Sequence, residues 1–200
     1  MTRADRKEQI VIAALELFQS RGFAQVSTRD LAAYAGLSRS HVYHYFKDWS
    51  ELRCAAFVRF ADEQLREVAA PLIDLDPPRA LEHFLQDCLP LSSESGWALW
   101  LDAWDEAMHD PDMAKVHLQI NAQWEGMLAD VIAKGVSSGD FTCRGPARVA
   151  RQLLAMCMGY ADDLLLHPTP DARASALDEI MEVARALLMR EQTVEATNPT

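Results

Sequence analysis

Residues 27–48 read STRDLAAYAGLSRSHVYHYFKD, and this stretch decides the fold. Ser27 is an N-cap residue with Asp30 three positions on, close to a capping box, so a helix opens at Thr28. Leu31 and Ala32 form its apolar face, and it ends near Tyr34. Gly36 supplies the sharp turn, because glycine tolerates positive φ. Ser38 caps a second short helix, Arg39 to about Tyr45, buried through Val42 and Phe46. Two short helices joined by a tight glycine turn describe a helix-turn-helix. In that motif the second helix lies in the DNA major groove, its N-terminal residues at the base edges. Arg39, Ser40, His41, Tyr43 and His44 face outward from it. Arginine holds guanine bidentately, and serine or histidine reaches base edges. Thr28 and Tyr43 carry hydroxyls suited to phosphate, Lys47 neutralises one, and Arg29 completes the candidate DNA-binding set. The spacing also fits an αα-corner with a solvated polar face, so spacing alone leaves both readings open.

Helical patterns continue on both sides. From Arg6 to Arg21, apolar residues at Ile10, Ala13, Ala14, Leu17 and Phe18 form one stripe, ended by Gly22. Asp48, with Glu51 three positions on, caps a fourth helix that runs to about Ala70, before Pro71. Further helices are expected over 79–89, 96–108, 112–136 and 146–166, and from an Asp171 cap to about Arg190. No alternating strand pattern or repeat appears, so the expected fold is all-α. It comprises an N-terminal helix-turn-helix domain (1–47), a connecting helix (48–70), a larger helical body (71–192), and a disordered tail (193–200).

The charge is divided in the same way. The 200 residues carry a formal net charge of −11. Residues 1–60 hold nine basic against six acidic side chains, a net of +3, which leaves −14 for the rest. A basic head on an acidic body suits a head that meets a polyanion and a body that repels one. No apolar run approaches the roughly 20 residues of a membrane span, so no membrane partner is expected. The N-terminal decapeptide has no apolar core of a signal sequence, and the four cysteines are widely spaced, so a reducing cytoplasm is the expected compartment. No catalytic, metal-binding or cofactor motif is present: HExxH, P-loop, GxSxG and GxGxxG are all missing. No cofactor and no enzymatic activity are expected.

The stretch from Ile10 to Leu52 resembles the DNA-binding domain of TetR-type transcriptional regulators. The resemblance rests on AALELFQSRGF at Ala13–Phe23, T-x-x-L-A-x-x-A-G-L-S at Thr28–Ser38, and Y-x-Y-F at Tyr43–Phe46. Beyond it, GVSSGDF at Gly135–Phe141 is similar to the ligand-binding half of the family. WLDAWDEA followed by Asp110-Pro111 is similar to its choline-responsive subgroup. The resemblance implies a homodimer that binds a palindromic double-stranded DNA operator and releases it when a small-molecule effector enters the body, with 1–47 as the DNA-binding domain and 71–192 as the ligand-binding and dimerisation domain. By position, Thr28 and Tyr43 match phosphate contacts of the family, and Arg39, Ser40, His41 and His44 match base-facing or groove-facing positions. Trp49 stands where the family usually has lysine, which implies about one phosphate contact fewer.

Effector candidates come from the body. Trp97, Trp100 and Trp104 share one helix face by spacing, with Asp105 on the same segment, Trp124 on the next helix, and Asp162-Asp163 inside an otherwise apolar helix. Aromatic faces beside carboxylates suit an organic cation. Tryptophan stripes at helical spacing also fill cores, and the two aspartates also fit an outer surface. The last two helices carry apolar stripes (Val149, Leu153, Met156, Leu177, Ile180, Met181, Ala184, Leu188) that would make a four-helix dimer interface or fill the protomer core. The alternative function is an all-helical protein–protein interaction module with a vestigial helix-turn-helix.

Overall fold

A computed structural model describes residues 2–91 and 96–189. Among the described residues there are nine helices and no strand: α1 (Arg3–Arg21), α2 (Thr28–Tyr34), α3 (Arg39–Tyr45), α4 (Trp49–Leu72), α5 (Pro77–Asp87), α6 (Trp97–Ala107), α7 (Pro111–Ser138), α8 (Pro146–Leu166) and α9 (Pro170–Leu188). The all-α expectation holds. The expected tail, 193–200, lies outside the described residues.

Several boundaries move for local reasons. α1 starts at Arg3, three residues before the expected start, because Thr2 and Asp5 form a capping box. α5 starts at Pro77 because Asp76 accepts the Arg79 N–H and prolines fit the first helical turn. α9 is capped by Thr169 rather than Asp171: the Thr169 hydroxyl accepts the Ala172 N–H at 3.1 Å, with Pro170 first in the helix. α7 runs two residues further, to Ser138, as the Ser137 and Ser138 hydroxyls bond back to carbonyls of the preceding turn. Pro71 falls in the last turn of α4, one residue before its end.

The chain forms two compact units. The first is Met1–Glu67 with Ser93–Trp124; the second is Val68–Ser92 with Glu125–Thr200. The core of the first unit gathers Phe18, Leu31, Val42, Phe46, Leu52, Phe57, Leu99 and Met113, so α6 and the first half of α7 share a core with the helix-turn-helix. In the second unit, α8 and α9 pack on each other and both meet α5. Of the apolar positions expected on α8 and α9, Val149, Leu153, Ile180, Met181, Ala184 and Leu188 are buried within the protomer, while Met156 and Leu177 are half-buried. Met158, Leu166 and Val183 remain exposed on these two helices, as does Met189 just beyond α9. No helix among the described residues is long and apolar enough to cross a membrane.

Candidate nucleic-acid interface

The reading head is built from its caps. The Ser27 hydroxyl accepts the Asp30 N–H at 3.3 Å, and the Asp30 carboxylate accepts the Ser27 N–H at 2.9 Å, which fixes the start of α2. The Ser27 hydroxyl also donates to the Asp30 carboxylate, and that bond, followed by the one from the Ser27 N–H, holds the Asp30 carboxyl below its usual range. Gly36 takes a φ of 64° at the turn, and the Leu37 N–H reaches back to the Ala32 carbonyl at 2.8 Å. The Ser38 hydroxyl then accepts the His41 N–H at 3.2 Å and opens α3. Val42 and Phe46, each 1% exposed, set the rotation of α3.

That rotation leaves Arg39, Ser40, His41, Tyr43 and His44 exposed on α3, with Lys47 beyond it and Arg29 on α2. Thr28 is half-buried, and its hydroxyl lies 3.0 Å from the Tyr43 hydroxyl. The two hydroxyls expected at phosphate are therefore brought together from separate helices. Tyr45 and Arg3 join this face through contacts that the sequence does not mark. The Tyr45 ring stacks on His41 at 5.6 Å and meets His44 edge-on at 5.2 Å. Arg3 lies over the same ring, 6.0 Å from its centroid. The link between α1 and α3 spans more than 40 residues and has no local sequence signal.

Behind the head, Glu51 accepts the Lys47 N–H at 2.7 Å and pairs with Lys7 at 3.1 Å, which holds its carboxyl below the usual range. The Trp49 ring packs edge-on against Phe18 at 5.7 Å. Three acids of α6 and the following turn fasten onto the head and α4. Asp102 accepts the Phe23 N–H, Glu106 pairs with Arg53 at 2.6 Å, and Asp110 accepts the Ser50 hydroxyl.

The expected tryptophan face does not stay together. Trp100 is half-buried against Phe57, Phe60, His117 and Trp124, with its ring 6.2 Å from that of Trp124. Trp97 is half-buried, and Trp104 is 57% exposed. Asp105 opens onto a cleft of about 470 Å³ lined also by Asp48, Ser50, Glu106, His109, Asp110 and Asp112.

Residues 77–191 match the family described as "BetI-type transcriptional repressor, C-terminal", and residues 10–55 match "Bacterial regulatory proteins, tetR family". The chain belongs to the tetR family of transcriptional regulators. The HTH-type transcriptional regulator BetI of Stenotrophomonas maltophilia is 31% identical over 115 residues, covering 56% of this chain. The chain spans 59% of the length of that relative. BetI of Pseudomonas paraeruginosa is 26% identical over 184 residues, covering 90% of this chain and 89% of the relative. Among solved structures, a TetR regulator from Haloarcula marismortui has a TM-score of 0.77 at 22% identity, covering 92% of this chain and 99% of that one. A transcriptional regulator from Saccharomonospora viridis in complex with choline has a TM-score of 0.77 at 19% identity, covering 94% and 100%. At such identities the structural likeness shows the fold.

In this tetR-family regulator, Asp162 and Asp163 lie exposed on α8 in the second compact unit. They meet no burial cost, and the outer-surface reading of these two acids is the one the structure adopts. Trp100 and Trp124 are the only two of the ligand candidates in mutual ring contact among the described residues.

Proposed function

We propose that this regulator is a ligand-responsive repressor that binds a palindromic operator as a homodimer and is released by a small-molecule effector. In this reading residues 1–47 read DNA, 48–70 connect, and 71–192 bind the effector and dimerise. The observation that carries it is the outward face of α3. Arg39, Ser40, His41, Tyr43 and His44 stand exposed on a helix whose rotation is fixed by the buried Val42 and Phe46. One short helix reads only a few base pairs. A two-fold dimer places two such helices about 34–36 Å apart, one turn of duplex. The exposed Met158, Leu166 and Val183 of α8 and α9 suit burial against a second copy.

The effector we assign is an organic cation. In support, Trp100 and Trp124 stand half-buried with Phe57 and Phe60 in the first unit, and carboxylates dominate the charge outside the head. A transcriptional regulator of the same fold was solved with choline, and the BetI-type match covers the body. The protein acts in the cytoplasm and performs no catalysis. Selection from random duplexes tests the reading: the regulator enriches a palindrome, while an interaction module with a vestigial head enriches nothing. A thermal-shift panel of choline-like compounds, polyamines, fatty acids and neutral drugs tests the effector class. Stabilisation by anions or neutral lipids alone would exclude the cation.

A further inference from the structure

α3 carries two imidazoles on its solvent side, and both touch one phenol ring. His41 and Tyr45 are four residues apart, so they share a helix face. Their rings stack at 5.6 Å with an interplanar angle of 15°. His44 meets the same ring at 5.2 Å and 88°. One ring thus holds two imidazoles in nearly perpendicular planes. The ring is itself held from two sides. Tyr45 is half-buried and packs against the head core, while Arg3 reaches from α1 to lie over it at 6.0 Å. Arg3 also donates to the His44 carbonyl at 3.5 Å, so its guanidinium touches both the ring and the α3 backbone.

A polar side chain on a solvent-facing helix samples several rotamers, and ordering them on binding costs affinity. Ring contacts that hold the side chain beforehand remove that cost. We propose that Tyr45, clamped by Arg3, is the positioning residue for sequence specificity in this head, fixing His41 and His44 as its base-reading groups. The proposal rests on the reading of α3 as the recognition helix. Its consequence is selective. Phosphate contacts supply non-specific affinity, and base contacts supply discrimination. Loosening the imidazoles removes discrimination and leaves the phosphate contacts of Thr28, Tyr43 and Lys47 in place.

The test uses the full chain, the duplex it selects from a random pool, and a scrambled duplex of the same length and salt. Tyr45→Phe keeps the ring and should keep the affinity ratio of the two duplexes within about twofold. Tyr45→Leu keeps apolar packing without the ring; it should lower affinity for the selected duplex by about tenfold. Affinity for the scrambled duplex should change less than about twofold. Arg3→Gln should lower the ratio in the same direction by a smaller factor. If Tyr45→Leu melts early, the double variant His41→Ala/His44→Ala carries the test with the core intact and must lose the same ratio. An unchanged ratio in the ring-less or double variant, or equal losses on both duplexes, overturns the positioning role alone. A wild-type protein with no preference among duplexes overturns the DNA-reading head itself, and this proposal with it.

Discussion

Asp102, on α6, accepts the backbone N–H of Phe23 at 2.7 Å across 79 residues of sequence. The loop it holds is the one that carries the chain from α1 into α2. Gly22, beside it, has a φ of 80°, and a Cβ there would stand 3.0 Å from the Asp102 carboxylate. The loop, the glycine and the acid therefore fit one another. With Arg53–Glu106 and Ser50–Asp110, this contact makes α6 part of the same core unit as the reading head.

Asp102→Ala leaves the Phe23 N–H without its acceptor inside a partly buried loop. Such a loss costs about 1–3 kcal/mol of stability. Asp102→Asn keeps a carbonyl oxygen in place and should cost less than half as much. Urea unfolding followed by circular dichroism measures both. An alanine variant as stable as the wild type would show that the loop is held without Asp102.

Trp49 offers a test of the electrostatics. Its ring packs on Phe18, and a tryptophan releases no counterion from DNA. Trp49→Lys should steepen the logarithmic dependence of operator affinity on salt by about one phosphate contact. The same variant loses an aromatic edge contact, a loss of about 0.5–1.5 kcal/mol beyond area burial. Binding across salt and a thermal melt separate the two effects. An unchanged salt slope would show that position 49 does not reach the backbone.

The head was legible in the sequence because its signals are local. Ser27, Asp30, Gly36 and Ser38 act within three or four residues of themselves, and the ends of α2 and α3 fall where these residues place them. The cap of α9 is not decided by residue type, because Thr169 and Asp171 are both capable caps; Pro170 at the first helical position leaves it to Thr169. The partners of α6 were illegible: WLDAWDEA gives no sign that its Asp102 and Glu106 turn toward Phe23 and Arg53. The same helical spacing that puts Trp97, Trp100 and Trp104 on one stripe leaves Trp104 exposed. α6 sinks only its Leu99–Ala103 edge fully into the core.

His117 gives a pH dependence with a definite sign. Its ring stacks on Phe57 at 6.0 Å and meets Trp100 edge-on, and burial pushes its pKa below the ordinary 6.5. The unfolded chain therefore binds this proton more readily than the folded one. The contribution to stability is fully present above the unfolded pKa and is lost as pH falls through the lowered folded value. Melting temperature should decline for the wild type as pH drops from about 7.5 to 5, and the decline should be shallower in His117→Phe. Parallel curves for the two proteins would remove His117 as the source.

Gly135 sets two effects against each other. It lies inside α7, where replacing glycine by alanine ordinarily stabilises a helix by about 1 kcal/mol. Here a Cβ would run into the ring of Phe141, which is buried and donates its N–H to the Gly135 carbonyl at 3.0 Å. Forcing extra volume into such a contact costs about 1–3 kcal/mol, so the clash outweighs the propensity and Gly135→Ala should destabilise. Phe141→Leu removes the ring edge and opens a small cavity of its own. The double variant should then be more stable than the sum of the two single losses, because each substitution relieves the other. Denaturant unfolding of the four proteins in this cycle decides the point, and a stabilised Gly135→Ala would mean that Phe141 moves aside at no cost.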